Sequence, residues 1–169
     1  LCTGLPGGKN APNSCSPVVA AMDLGIDFQT IREGFSAFRG VGRRMERVGE
    51  EGGVLVMDDY GHHPTEIRAT LDALTSLGRR LVVVFQPHRY SRTKLLYEEF
   101  GQCFTGADVL FLTEIYPAGE EPVEGVSSEL IRQAIVSHTG RDARILPRFE
   151  DIAASVAAEA RKGDVVRTN

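Results

Sequence analysis

The sequence predicts an α/β fold, in which a doubly wound, mostly parallel sheet of about six strands carries helices on both faces. Short apolar runs alternate with helical patterns along most of the chain, and this alternation is typical of parallel sheets. The chain has 169 residues, of which 42% are hydrophobic, so it is long enough to bury a core. The length favours one complete domain and a fragment of another.

Two predicted helices precede the alternating pattern. The first runs through residues 18–22 and ends near Gly25, and the second covers residues 28–38 and closes at Gly40. No complete domain is visible in this part of the sequence. We therefore interpret residues 1–40 as the end of a preceding domain and residues 41–169 as a domain of its own.

The alternation itself lies in residues 41–169. In chain order the pattern predicts a strand at 54–57, a helix at 64–77, a strand at 81–85, a helix at 94–104, a strand at 108–112, a helix that starts at Ser127 or Ser128, a strand at 143–146, a helix at 150–162 and a strand from 164. We expect the end of the sequence to cut this last strand short.

Polar and titratable side chains follow two of the predicted strands, at the point where each strand ends. Asp58, Asp59, Tyr60, His62 and His63 follow the first, and His88, Arg89 and Arg92 follow the second. Ligands of open α/β sheets lie at the carboxyl ends of the strands, and consecutive strands are usually neighbours. Two such loops in succession therefore predict one shared site.

The second loop has the chemistry of an anion site. Two guanidinium groups beside an imidazole suit a carboxylate or a phosphate, although a solvated basic loop is the alternative for an arbitrary cluster. No metal site is predicted, because adjacent residues such as His62 and His63 rarely point at one ion and no third spaced ligand follows. No strand leads into a Gly-x-Ser-x-Gly turn, so a serine hydrolase is not indicated.

Two further pairs of residues leave alternatives open. Asn10 and Asn13 are three positions apart at a helix start, where they either cap the helix or present their amides to a base, and capping is favoured. Arg43 and Arg44 lie between a helix and a strand, where a double arginine is either surface charge or a phosphate contact.

The composition limits the classes of partner. The formal net charge of −4 gives no reason to expect nucleic acid, so the arginine clusters are expected to meet a small anion. No apolar stretch approaches the ~20 residues that span a membrane, and a signal-peptide pattern is not found. The cysteines Cys2, Cys15 and Cys103 are widely spaced and are interpreted as reduced thiols. We therefore expect a cytoplasmic protein.

Three motifs resemble those of a known family. They are Asp-Asp-Tyr-Gly-His-His-Pro-Thr-Glu at residues 58–66, Phe-Gln-Pro-His-Arg-Tyr-Ser-Arg-Thr at 85–93, and Tyr-Pro-Ala-Gly-Glu-Glu-Pro at 116–122 followed by Gly-Val-Ser-Ser at 125–128. Together they make the chain similar to the C-terminal part of the ATP-dependent Mur ligases of bacterial peptidoglycan synthesis. The resemblance covers essentially the whole chain.

The resemblance implies a Rossmann-like C-terminal domain that binds the amino acid, preceded by the last helices of a central ATP-binding domain. It implies that ATP phosphorylates the carboxylate of UDP-N-acetylmuramate, and that the amine of L-alanine attacks the acyl phosphate. ATP and Mg²⁺ would serve the full-length enzyme, whose phosphate loop, magnesium ligands and UDP-sugar domain are not in this sequence. We therefore expect no ligation by this chain alone.

The resemblance also implies roles for individual residues. The predicted nucleotide contacts are Asn10 and Asn13 at the adenine, Asp59 at the ribose and Arg44 at the phosphates. The predicted contacts to L-alanine and the acyl phosphate are Tyr60, His62, His88, Arg89 and Arg92, of which His62, Arg89 and Arg92 are the catalytic candidates. For His62 we favour orientation of the incoming ammonium over general-base catalysis. Lys9, Pro12 and the last three residues depart from the family pattern.

Two alternatives to a ligase domain belong to other classes of protein. One is a non-catalytic module that binds a nucleotide or another anion with the same loops. The other is an interaction domain whose loops dock a partner, and it predicts an exposed apolar patch that the sequence does not indicate.

Overall fold

The computed structural model describes residues 10–38 and 41–169, and for residues 10–14 only the course of the backbone. The chain divides after Gly42 into two compact units. The first unit contains α1 (Asn10–Asp23) and α2 (Phe28–Ala37), as the apolar pattern predicts. Helix α2 begins where Asp27 caps it, since the Asp27 carboxylate accepts hydrogen bonds from the N–H groups of Gln29 and Thr30 at 3.0 Å.

The second unit is built on a six-stranded sheet. Its strands are β1 (Glu46–Glu51), β2 (Val54–Asp58), β3 (Leu81–Phe85), β4 (Val109–Leu112), β5 (Arg144–Ile145) and β6 (Val165–Thr168). They lie in the order β1-β2-β6-β3-β4-β5. Only the β1–β2 pair of this sheet is antiparallel, so the prediction of a mostly parallel sheet is confirmed.

Helices cover both faces of the sheet. They are α3 (Pro64–Thr75), α4 (Tyr90–Cys103), α5 (Ser128–Thr139) and α6 (Phe149–Glu159). Apolar side chains of α3, α4 and α5 pack with those of Val83 and Phe85 on one face, whereas Val156 of α6 packs with Val82 and its neighbours on the other. Successive residues of a strand point to opposite faces, which is why the continuous apolar run of β3 is buried on both sides.

Strand β6 corrects one of the expectations from sequence. It is a central strand of the sheet, because Val165 pairs with Leu55 of β2 on one side and with Leu81 of β3 on the other. Strands β2 and β3 are therefore not neighbours, although they are consecutive among the predicted strands. The usual adjacency of consecutive strands fails here because a later segment of the chain enters between them.

Two further boundaries differ from prediction. Helix α4 begins at Tyr90 rather than at residue 94, because a carboxylate from a distant loop caps it. Strand β1 was not predicted, since its sequence lacks an apolar alternation and most of its side chains are exposed. It forms a hairpin with β2 through Gly52 and Gly53, whose φ angles of 58° and 80° favour glycine. Among the described residues, no helix is long and apolar enough to cross a membrane.

Candidate functional site

The candidate site lies where β2, β6 and β3 end. These three strands are parallel, so their carboxyl ends meet at one rim of the sheet. The loops after β2 and β3 and the residue after β6 enclose a cleft of about 300 Å³. The side chains that line it, which we call the cleft residues, are Arg43, Tyr60, His62, Gln86, His88, Tyr116 and Asn169.

Four aromatic rings form a row along this cleft. The ring centroids of Tyr60 and His62 are 5.2 Å apart, those of His62 and His88 are 5.8 Å apart, and those of His88 and Tyr116 are 5.5 Å apart. The guanidinium of Arg43 lies over the Tyr60 ring at 5.0 Å. The two polar loops therefore meet, as predicted, even though β6 separates their strands.

A buried carboxylate shapes the first loop. Asp59 is 4% exposed, and its oxygens accept hydrogen bonds from the Gly61 N–H at 3.1 Å and the Thr70 hydroxyl at 3.0 Å. A third donor is the Met45 N–H at 3.0 Å. In this structure Asp59 thus holds the backbone of the loop, and its nucleotide contact stays a prediction.

The two adjacent histidines have different surroundings. His63 caps α3, since its Nδ1 accepts from the Thr65 N–H at 3.3 Å. His62 faces the cleft, and its Nδ1 lies 3.1 Å from the Tyr60 carbonyl oxygen. A carbonyl oxygen only accepts, so Nδ1 carries the proton and the Nε2 of neutral His62 is an acceptor. Burial raises the pKa of Glu66, but hydrogen bonds from the N–H groups of His62 and His63 outweigh it and lower the pKa overall.

His88 has the opposite tautomer to His62. The Nη1 group of Arg92 lies 3.3 Å from both the Nδ1 and the carbonyl oxygen of His88. A guanidinium only donates, so His88 Nδ1 accepts and its Nε2 carries the proton. Burial lowers the pKa of His88 first, and the charges of Arg92, His62 and Arg89 lower it further. The cleft therefore combines an acceptor on His62 with a donor on His88.

Glu120, which belongs to the third sequence motif, accepts hydrogen bonds at the start of α4, just after the loop that follows β3. The Glu120 carboxylate accepts from the Ser91 N–H at 2.9 Å and from the Ser91 hydroxyl at 2.6 Å, and it lies 3.7 Å from Arg89. Glu120 thus caps α4, because the side chain at the N-cap position, Arg89, makes no capping hydrogen bond. The backbone φ angle of Arg89 is 74°, which is unusual for arginine. Hydrogen bonds between the backbones of Arg89 and Tyr116 and of Tyr116 and Pro87, both 2.8 Å long, join the two loops.

The predicted residues are only partly brought together. Tyr60, His62 and His88 line the cleft, with Arg92 directly behind His88. Arg89 is exposed beside Glu120, and Arg44 is exposed beside Glu66 at 3.7 Å. Asn10 and Asn13 fall in the first turn of α1, and their side chains lie outside the described residues.

Sequence reasoning missed four of the cleft residues as site residues. Arg43 was recognised only as one of a pair, and Gln86, Tyr116 and Asn169 were not selected. Gln86 and Asn169 directly follow strands β3 and β6, so their position at a strand end was the available signal.

The cleft fits an anion better than a metal ion. In the part of the chain that the structure describes, no three His, Cys, Asp or Glu side chains are grouped as metal ligands. Of the nearby carboxylates, that of Asp58 accepts from Arg43 at 3.1 Å and that of Asp59 is buried. The guanidinium groups and the Nε2–H of His88 remain, and these are donors for carboxylate or phosphoryl oxygens.

Residues 43–168 match the family described as Mur ligase, glutamate ligase domain. The chain therefore belongs to this family of ligase domains.

Several curated relatives within this family share one enzyme name. The chain is 49% identical over 166 residues to a UDP-N-acetylmuramate–L-alanine ligase from Geobacter sulfurreducens, and 47% identical over 165 residues to one from Geotalea daltonii. Each alignment covers 97% of this chain and 36% of the relative, so the chain spans about a third of the length of these enzymes.

Solved structures agree with the sequence comparison. The UDP-N-acetylmuramate-alanine ligase of Thermotoga maritima superposes with a TM-score of 0.78 at 26% identity, over 97% of this chain and 34% of that one. A murein peptide ligase from Psychrobacter arcticus gives a TM-score of 0.71 at 29% identity, over 98% of this chain and 34% of that one. The resemblance that the three motifs indicate is confirmed.

Proposed function

We propose that this chain is the C-terminal part of an ATP-dependent ligase that joins L-alanine to UDP-N-acetylmuramate. The observation that carries the proposal is the pair of imidazoles with opposite tautomers, 5.8 Å apart between ring centroids. An amino acid presents an ammonium donor and a carboxylate acceptor. The Nε2 acceptor of His62 and the Nε2–H donor of His88 are complementary to such a molecule.

The residues of the second loop would bind negative charge. Arg89 and Arg92 would hold the L-alanine carboxylate or the phosphoryl oxygens, and His88 would donate its Nε2–H to the same group. ATP, when bound by the full-length enzyme, would supply the phosphoryl group that activates the muramate carboxylate. His62 would orient the ammonium so that its nitrogen can attack after a proton is lost. Tyr60 would form the apolar wall beside His62.

Residues 1–40 would belong to the ATP-binding part of the enzyme. Several apolar side chains of α1 and of the loop that follows are exposed, among them Leu24 at 79% and Val19 at 66%, as expected of helices whose packing partners lie elsewhere in a longer chain. Within this proposal Asn10, Asn13, Asp59 and Arg44 would contact the nucleotide. Magnesium would be held by residues outside this sequence.

The proposal is tested in the longer ligase chain that contains this domain. Arg92→Ala removes the guanidinium behind His88, and we expect ligation measured as ADP release to fall about 100-fold or more. Arg132→Ala is the matched control, because Arg132 pairs with Glu129 and Asp142 on α5 and the following turn, away from the cleft residues. Activity of Arg92→Ala within a few-fold of the control would favour the non-catalytic binding module.

A second test uses the 169-residue chain itself. With ATP, UDP-N-acetylmuramate and L-alanine present, we expect no ADP release above background, because this chain spans about a third of its curated relatives. Turnover by the chain alone would contradict the assignment of ATP activation to the rest of the enzyme.

A further inference from the structure

A buried arginine lies beneath the first loop of the cleft. Arg167 is 0% exposed, and it belongs to the central strand β6. It points to the same face of the sheet as Val165, two residues earlier, which is the face covered by α3, α4 and α5. A charged side chain is expensive to bury, so its partners indicate what it does there.

Among the described residues, the side-chain hydrogen bonds of Arg167 all go to the cleft loop. The Nη2 group donates to the carbonyl oxygens of Asp59 at 3.0 Å and of Gly61 at 3.1 Å, and it lies 3.4 Å from an oxygen of the Asp59 carboxylate. The two carbonyls flank Tyr60, so one nitrogen fixes the backbone on both sides of that residue. His62 follows directly.

The other two nitrogen atoms of the guanidinium are buried without hydrogen bonds to any described residue. Its Nε and Nη1 atoms have no hydrogen-bond partner among the residues that the structure describes. Unpaired buried donors reduce stability, and buried ion pairs of this kind stabilise a fold weakly at best. Burial also lowers the pKa of Arg167, while the charge of Asp59 opposes this effect. Arg167 is therefore expected to contribute little to the stability of the sheet.

The loop leaves no room for a side chain at Gly61. A Cβ atom added at Gly61 would lie 2.6 Å from the Asp59 carboxylate and 3.5 Å from Arg167 Nη2. The turn is thus fitted closely between the buried carboxylate and the buried guanidinium. We propose that Arg167 is a positioning residue, which fixes the Asp59–Gly61 turn so that Tyr60 and His62 face the cleft. The proposal deepens the proposed function, on which its significance for ligation rests.

The test compares variants of the 169-residue chain by NMR. Arg167→Met removes the guanidinium, and Arg80→Met is the control, because Arg80 is a half-buried arginine that pairs with Asp164 at the opposite end of β3 and β6. In Arg167→Met we expect the nuclear Overhauser contacts between the Tyr60 and His62 rings to be lost and the His62 imidazole resonances to shift. In Arg80→Met both should match the wild type, although the melting temperature falls. Arg167→Lys should restore part of the wild-type pattern, because its ammonium can donate to one of the two carbonyls.

Each outcome decides for or against the proposal. A folded Arg167→Met chain with wild-type ring contacts would overturn it. If that variant does not fold, Arg167→Lys decides in its place by the same ring contacts, and failure of both to fold would make Arg167 a purely structural residue. These contacts do not depend on ligation, so a failure of the proposed function would leave this result intact. In the longer ligase, Arg167→Lys should lower kcat/KM for L-alanine by about 10–100-fold.

Discussion

The two ends of the parallel strands carry similar charged groups and use them differently. At the amino end, Arg80 donates to Asp164 at 2.8 Å and also pairs with Glu159, and Arg79 donates to three backbone carbonyl oxygens. At the carboxyl end, the Asp58 carboxylate accepts from Arg43 at 3.1 Å, but His62 Nε2 has no hydrogen-bond partner among the described residues. Charges matched within the protein hold the fold, whereas donors and acceptors left open at a rim indicate a ligand.

The largest expected difference is between substitutions of two adjacent histidines in the longer ligase, one that faces the cleft and one that caps a helix. His62→Phe keeps a ring but removes the Nε2 acceptor that faces the cleft, and we expect kcat to fall by about 100-fold. His63→Asn should change kcat by less than about twofold, because asparagine is a good helix cap and can replace the His63 bond to Thr65. Equal losses of kcat in the two variants would mean that the loop as a whole, rather than His62, matters.

Substitutions at the amino ends of the parallel strands should change the free energy of unfolding. Arg80→Met leaves the buried Asp164 carboxylate without its ion-pair partner, and we expect the free energy of unfolding to fall by about 1–3 kcal/mol in urea denaturation. Arg148→Met is the control, since Arg148 is exposed and its ion pairs are 3.6 and 4.0 Å long. A stability of Arg80→Met equal to that of the control would show that the amino-end pairs do not hold the fold.

The carboxyl end should bind anions in a pH-dependent way. Because the pKa of His88 lies below its ordinary value of 6.5, a bound anion would raise it and binding would take up a proton. The affinity for sulfate should therefore increase as the pH falls below 6.5, by at most about tenfold per pH unit for one proton. NMR titration of the 169-residue chain measures this affinity. His88→Gln should flatten the dependence, and an unchanged slope in that variant would assign the proton to another group.

The smallest expected effect concerns the cap of α4. Hydrogen bonds from the Ser91 hydroxyl and N–H and the charge of Arg89 lower the pKa of Glu120 below 4.5. The carboxylate therefore stabilises the fold above pH 4.5, and this contribution is lost as the pH falls through the lowered pKa. Glu120→Gln should lower the melting temperature by a few degrees at pH 7 and by less at pH 3. Glu121→Gln, which changes the exposed neighbour, should match the wild type at both pH values.

The α/β fold was predictable because most of the parallel strands begin in apolar runs and the helices between them have apolar residues at helical spacing. Runs such as Leu81–Phe85 are buried on both faces, and that requires helices on both sides whatever the strand order is. The order itself was not predictable from local patterns. The pairing of β6 with β2 joins segments more than a hundred residues apart, as does the contact of Arg167 with Asp59, 108 positions away.

The site was predictable only in outline. The strand-end position of the two polar loops brought His62 and His88 into the prediction, and the structure places them together. Sequence could not tell that Asp59 turns into the protein while Tyr60 turns out, because that choice depends on the guanidinium that approaches from β6. Because Arg167 follows two apolar residues, the sequence pattern indicates that it ends a strand. The structure places it within β6, on the buried face of that strand.

The central place of β6 also governs how the second unit can fold. Strands β2 and β3 have no hydrogen bonds to each other in the described ladders, so β6 alone joins the β1-β2 pair to the β3-β4-β5 half of the sheet. Contacts that join distant segments lose chain entropy before they gain energy, which slows folding. The rim that carries the cleft residues is therefore complete only when β6 pairs with both of its neighbours.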